Sequence, residues 1–488
     1  MTHSDSSVSL LAEIAPETRR RDCTIIVLVS LVFFALNVDF LLYGDAALYG
    51  DYALRRKITE VTLHFGYYWL LIGVQATIGN LLHVPMQETM VWVNVVCGAL
   101  AMGVAYLLAL ELLGNRRDAL TTVLILALSG RVINNATSSE MYIPQTLCVL
   151  SSFYLFVRSR IVAAGIVAGL ALLISPLSAF AYLFFPVFDF ERARKVRVAT
   201  LATLTAAAAL VYGPFLAVYG HELFWGTRGL LLINGQDQFD PLLALANFPK
   251  YQFKQFTALL LLLVPAFIYA DRHKRFYILA AAVAIPHLYI ILKLTGEDNV
   301  FILNSDFFFA AVLALGWREL LQSAWTRFIG PALLTVHAAV FILSGLLFSF
   351  EMHRDYAREM REFATTYVVN HDAVVITDWG TAVALTFFGR TTPTTTILQE
   401  PMYRQIYDID GLPSVNPSLN VHDVFLIDRW KPLPLNAFFH SKESINRQYQ
   451  IHSTRNIAER QLHVTCSLLF EKTNKVYRCA LNAPASSQ

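Results

Sequence analysis

Charge is scarce in this chain: Asp, Glu, Lys and Arg make up 15% of the 488 residues, while hydrophobic residues make up 56% and the mean hydropathy is +0.49. No water-exposed surface can hide repeated apolar runs on that scale, which excludes an ordinary soluble globular protein and leaves a polytopic membrane protein. Cysteine is scarce too. Five cysteines are too few for a disulfide framework, and Cys23, Cys97 and Cys148 fall at or inside apolar runs, where a small buried side chain is the plain reading. No Cys/His spacing suits a metal, no glycine signature suits a nucleotide, and no internal repeat recurs. The formal net charge of +2 gives no electrostatic footprint for nucleic acid. The opening segment MTHSDSSVSLLAEIAPETRRRD has no apolar h-region before its arginines, which argues against a cleaved signal peptide.

What charge there is comes in short basic clusters between apolar runs, and their placement predicts a topology. Arg19, Arg20 and Arg21 precede the apolar run Cys23 to Leu42, which holds residues 1–22 in the cytoplasm and sends the first helix outward. Gly66 to Leu82 is apolar enough to cross, but a crossing there would put every later basic cluster outside. It therefore reads as a helix at the outer interface, with Tyr67, Tyr68 and Trp69 as an aromatic belt. Glu88 to Leu113 then descends, Leu120 to Ile133 ascends, and Thr146 to Val157 descends. Pro176 divides Ile161 to Phe188 into a hairpin of two half-helices. Ala199 to Tyr219 ascends, Phe256 to Ala270 descends, Phe276 to Leu292 ascends, Phe307 to Trp317 descends, and Phe328 to Phe350 ascends last. The result is an all-α membrane domain over residues 23–350, with about eleven crossings and a first outer loop over 44–88.

From residue 351 to 488 the polarity is mixed and no run is long enough to span. AVVITDW, TTTILQ, DVFLIDRW, HVTCSLLFE and KVYRCAL read as strands, with REFATTYVV and GTAVALTFF as helices. This is a small extracytoplasmic α/β or α+β domain. A tight turn near Lys472 and Thr473 would set Cys466 opposite Cys479, leaving a disulfide and two free thiols both open.

Sorted by side, the unusual polar residues collect outside. Asp45, Asp51, Glu60, His64, Glu140, His221, Glu222, Asp237, Asp240, Glu297 and Asp298 all fall on outer loops, whereas the inner turns carry mainly Arg and Lys. The stretch Tyr43 to Trp69 is the densest, with seven aromatic residues, two aspartates and a basic triplet. An ordinary connector is shorter and blander.

Two segments carry a family resemblance. GDAALYGDYALRRK followed by HFGYYWLL resembles the first outer loop of the GT-C membrane glycosyltransferases, which include protein O-mannosyltransferases and the aminoarabinose transferase of lipid A. His64, Tyr68 and Trp69 match that loop's second element, although Phe65 and Gly66 stand where the family has prolines. NNATSSEMYIPQ resembles a second family element, with Ala136, Glu140 and Tyr142 in register. The resemblance implies transfer of a sugar from a polyprenyl-phosphate donor to an acceptor at the outer membrane face, usually with inversion. Membrane lipid and the polyprenyl-phosphate sugar are then the partners, with no nucleic acid and no certain cofactor, and a bacterial inner or plasma membrane is the implied location.

That chemistry needs a carboxylate to take the acceptor's proton and positive charge to meet the leaving phosphate. Asp45 matches the family's acidic position, and Asp51 and Glu140 are further catalytic candidates. Arg55, Arg56, Lys57, His64, Tyr142, Arg228, Lys250 and Lys293 are the substrate-binding candidates. Each has a plain alternative: Asp45 as a helix N-cap, Asp51 as a solvated helix residue, His64 as a packing group, and the basic triplet as a lipid-headgroup contact. A secondary transporter, or a membrane scaffold with an outer binding domain, stays open beside the enzyme.

Overall fold

The computed structural model describes residues 15–38, 45–55, 64–175, 178, 202–203, 205–206, 209–210, 213, 252–270, 303–322, 324–344 and 346–347. It also describes 358–368, 373–377, 381, 384–385, 387–388, 394–397, 423–429, 464–472 and 474–481. The chain falls into two compact units. The first comprises Met1–Val38, Ile58–Pro85 and Thr89–Leu343, and the second Asp39–Lys57, Met86–Glu88 and Ser344–Gln488.

The first unit is helical: α1 (Pro16–Ala35), α3 (Phe65–Val74), α4 (Met86–Leu113), α5 (Arg116–Ala127), α6 (Gly130–Thr137), α7 (Tyr142–Val157), α8 (Ile161–Ile174), α9 (Leu263–Ala270), α10 (Leu303–Leu320) and α11 (Ile329–Leu343). Local chemistry sets several of the boundaries. Pro16 opens α1, where a missing N–H costs nothing. Gly114 closes α4 with a left-handed φ of 68°, and the Asn115 side chain then caps α5 by accepting from the Arg117 amide at 2.8 Å. Among the described residues α4 is the one helix long and apolar enough to cross a membrane, with α5 and α6 together a bent second candidate.

Side-chain exposure identifies the solvent. On α1, Ile25, Leu28, Val29, Val32 and Leu36 recur at helical spacing and are each more than half exposed. Similar stripes run down α4 (Trp92, Val96, Leu100) and α8 (Val162, Ile166, Leu170). Continuous apolar stripes on the outside of a bundle suit lipid and not water. The protein is an integral membrane protein.

Leu120 to Ile133 was expected as one helix, but it bends by 65° between α5 and α6. The break at Leu128 and Ser129 is held open by side chains from elsewhere in the unit. His337 Nε2 donates to the Leu128 carbonyl at 2.8 Å while its Nδ1 accepts from the Thr257 hydroxyl at 2.6 Å, and the Ser129 hydroxyl meets Asp306 at 3.3 Å. A freed helix carbonyl with an outside donor is a sufficient cause for the kink.

Five helix ends gather through ion pairs. Arg19, at the start of α1, meets Glu111 at the end of α4 at 2.6 Å, and Arg158 at the end of α7 reaches the same carboxylate at 3.3 Å. Arg116, at the start of α5, binds Asp22 through Nε at 2.5 Å and Nη2 at 3.0 Å, and the Tyr106 hydroxyl donates to it at 2.8 Å. Arg318, near the end of α10, meets Asp118 at 3.0 Å. Thus α1 and α5 start where α4, α7 and α10 finish, the relative directions that the basic clusters predict. The bond from Arg116 holds the Asp22 carboxyl below the usual carboxylate range.

The second unit contains α2 (Asp45–Arg55) and a five-stranded mixed sheet in the order β2-β1-β3-β5-β4. Its strands are β1 (Ala373–Thr377), β2 (Thr394–Ile397), β3 (Asp423–Arg429), β4 (Val464–Glu471) and β5 (Asn474–Leu481). β1 pairs in parallel with β2 and β3, and β5 pairs antiparallel with β3 and β4. Each strand falls on a segment expected from its apolar alternation. The helical stretch 358–363, continuing as the π-turn Ala364–Val368, packs Met360, Phe363 and Ala364 against Val375, Phe425, Ile427 and Val476. The turn at Lys472 closes as expected, with its amide donating to the Asn474 carbonyl at 3.0 Å, and Cys466 and Cys479, directly paired across β4 and β5, form a disulfide.

Candidate functional site

Away from the ion-paired ends, the first unit collects the candidate polar residues of its expected outer face. Here α6 ends in an extended Ser138, with φ −112° and ψ −180°, and a short turn carries Glu140 and leads into α7 at Tyr142. Polar side chains of two other helices hold the turn. Asn94 of α4 directs its Nδ2 at the carbonyls of Ser138, at 2.7 Å, and of Glu140, with the Asn135 carbonyl at 3.4 Å. Tyr67 of α3 donates its hydroxyl to the Ser139 carbonyl at 3.3 Å. One turn below Asn94, Gly98 faces Ala136, and a Cβ at Gly98 would lie 2.8 Å from the Ala136 methyl. Small residues on both helices therefore let α6 lie against α4, which accounts physically for Ala136 in the second family element.

His64 precedes α3, and its Nδ1 donates to the Ile174 carbonyl at the end of α8 at 3.1 Å. Burial brings the imidazole down to about 4, with the carbonyl bond opposing, so it is neutral at physiological pH. Gly66 permits the approach, since a Cβ there would lie 2.9 Å from the Ile174 nitrogen. The expected aromatic belt is corrected: Tyr67 and Tyr68 are fully buried, and Trp69 alone of the three faces outward. A helix packed against α8 turns its tyrosines inward, where a hydroxyl finds polar partners.

Two residues that the sequence pattern did not flag as a pair lie beside this region. Arg131 of α6 and Asp306 of α10 form a fully buried ion pair, and Thr146 of α7 bonds Asn304 of α10 at 2.9 Å. Asp306 stood out only as the one carboxylate in an otherwise apolar and aromatic stretch. Buried ionisable groups in a membrane helix bundle are costly and need this kind of pairing.

In the second unit Asp45 is the first residue of α2. Asp51, a catalytic candidate whose plain alternative is a solvated helix residue, is buried, and its carboxylate meets Arg55 at 2.7 Å. The i,i+4 spacing makes that contact natural, and Arg55 thereby spends part of its charge on Asp51. Arg56, Lys57, Arg228, Lys250 and Lys293 lie outside the described residues, as do Glu297, Asp298, the Phe276 to Leu292 span and the segment following Pro176. Among the described residues no group of three His, Cys, Asp or Glu side chains is placed to hold a metal ion.

The family model for glycosyltransferase family 87 matches residues 76–238, a third of the chain that includes α4 to α8 and the Glu140 turn. Solved structures extend the likeness. ArnT from Cupriavidus metallidurans, bound to undecaprenyl phosphate, aligns over 95% of this chain and 98% of its own with a TM-score of 0.58 and 12% identity. The chain shares the fold of that structure. An Archaeoglobus fulgidus oligosaccharyltransferase aligns over 83% of this chain and 67% of its own, with a TM-score of 0.53 and 16% identity. The mycobacterial arabinofuranosyltransferase AftD aligns over 95% of this chain but only 40% of its own length, with a TM-score of 0.54 and 13% identity. No curated protein matches by sequence.

Proposed function

We propose that this protein is a membrane glycosyltransferase that moves a sugar from a polyprenyl-phosphate donor to an acceptor at the outer membrane face, with inversion. The observation that carries the reading is end-to-end likeness to a structure that holds undecaprenyl phosphate, combined with the acidic positions of the two family elements at Asp45 and Glu140. Asp45 is the general base. The acceptor oxygen attacks the anomeric carbon, its proton passes to the Asp45 carboxylate, and the bond from that carbon to the phosphate oxygen breaks, releasing the polyprenyl phosphate. One or more of Arg55, Arg56 and Lys57 stabilise the developing phosphate charge, and Arg228, Lys250 and Lys293 are the other candidates for that role. Asp51 acts on Arg55 and not on the acceptor.

The Cys466–Cys479 disulfide supports an oxidising compartment for the C-terminal domain, in keeping with about eleven crossings and a cytoplasmic N-terminus. Native mass spectrometry of the detergent-solubilised protein tests the donor class. Undecaprenyl phosphate is expected to stay bound at a one-to-one ratio while undecaprenol washes off, and equal retention of the two lipids would count against a phosphate-reading site.

A further inference from the structure

We infer that Asn94 and Tyr67 act as a clamp that positions Glu140, the catalytic candidate of the second family element, an inference that rests on Glu140 taking part in the proposed reaction. The turn between α6 and α7 presents three successive carbonyl oxygens, those of Ser138, Ser139 and Glu140, and each accepts from a side chain of another helix. Asn94 supplies two of these contacts and Tyr67 the third. Both are fully buried, as is Ser139. Three carbonyls around the Asn94 amide fix its orientation chemically, because only the nitrogen can donate. The clamp residues are themselves seated: Gly98 and Ala136 bring α6 against α4, and Gly66 brings α3 against α8. Burial first, and then the Glu140 charge, push the Tyr67 phenol well above its ordinary range, so the hydroxyl keeps its proton as a donor while it lies close to the carboxylate it helps to place.

A turn held at all three carbonyls cannot shift its backbone, and with it the base of the Glu140 side chain, without breaking a buried hydrogen bond. A loosely held carboxylate loses rate steeply with small displacements, and about 100-fold is typical for roughly 1 Å. Asn94 and Tyr67 are therefore positioning residues that act through Glu140.

Hydrogen–deuterium exchange tests the clamp without any substrate. In Tyr67→Phe, and separately in Asn94→Asp, amides in the peptide spanning residues 138–142 are expected to exchange about tenfold faster, as losing one buried hydrogen bond implies, while the centres of α4 and α7 keep their protection. Unchanged exchange in the turn overturns the clamp, and a rise throughout α4 and α7 reduces it to general packing. Transfer from a panel of polyprenyl-phosphate hexoses and pentoses then separates the clamp from the reading beneath it. Asn94→Asp is expected to lower kcat about 100-fold with the donor KM within about twofold, and to add no further loss to Glu140→Gln. Additive losses overturn the clamp while leaving Glu140 in place. Full activity in Glu140→Gln overturns the role of Glu140 itself.

Discussion

The two ends of the helical unit use polarity in opposite ways. At one end carboxylates and arginines neutralise one another, as in Asp22 with Arg116, Glu111 with Arg19 and Arg158, and Asp118 with Arg318. At the other, amide, phenol and imidazole donors hold main-chain carbonyls, and Arg131 with Asp306 is the one ion pair found there among the described residues. The first pattern ties helix ends together and leaves little charge to act on a ligand. The second builds rigid backbone around a carboxylate, Glu140, which suits a reaction site: the positioning groups are neutral and do not compete for the charge of a substrate.

Breaking the buried pair should have the largest effect. Asp306→Leu strands the Arg131 guanidinium in the bundle and is expected to cost about 3–5 kcal/mol, seen as a sharp fall in Tm in detergent. The double change Arg131→Met with Asp306→Leu should recover most of the loss, because matched apolar side chains replace such pairs at little cost. Gly66→Ala comes next: its methyl would lie 2.9 Å from Ile174 main chain, and overpacking against backbone costs about 1–3 kcal/mol. Arg116→Met, at the ion-paired end, should lower Tm by less than either, since the arginine is half exposed and water screens the pair.

The smallest effect is in pH, and it separates the ends most cleanly. His64 is brought to about 4 by burial, so unfolding exposes a stronger base. The stability it contributes is fully present above the ordinary imidazole value and is lost as pH falls from about 6.5 toward 4. Asp22 is shifted downward by Arg116, so its contribution persists above the ordinary carboxylate range and is lost only at more acid pH. Between pH 6.5 and 5.5 the wild type should lose about 1 kcal/mol more than His64→Gln, measured by thermal denaturation across that range.

Much of the architecture was legible because lipid imposes simple rules. Apolar runs marked helices such as α1, α4 and α7, arginines at their ends marked the relative directions of the five that meet through ion pairs, and period-two alternation marked all five strands. The kink at Leu128 was not legible, because its cause is His337, more than two hundred residues away. The buried state of Asp51 was hidden for a similar reason: spacing offers Arg55 as a partner but does not say that the carboxylate leaves water. Glu140 is a candidate through the family element, but the bonds that Asn94 and Tyr67 make to its turn were not legible, since Asn94 sits unremarked in an apolar run and Tyr67 reads as one more interfacial aromatic. Sequence periodicity reports which face a residue takes and is silent on which distant carbonyl it meets.

The most direct measurement is release of polyprenyl phosphate from sugar-loaded donors by purified protein in lipid, comparing wild type with Asp45→Asn. Replacing a general base is expected to lower the rate about 10²–10⁴-fold, with undecaprenyl phosphate still bound and Tm unchanged. Equal rates for the two proteins would contradict the assignment of Asp45 as the base and, with it, the proposed mechanism.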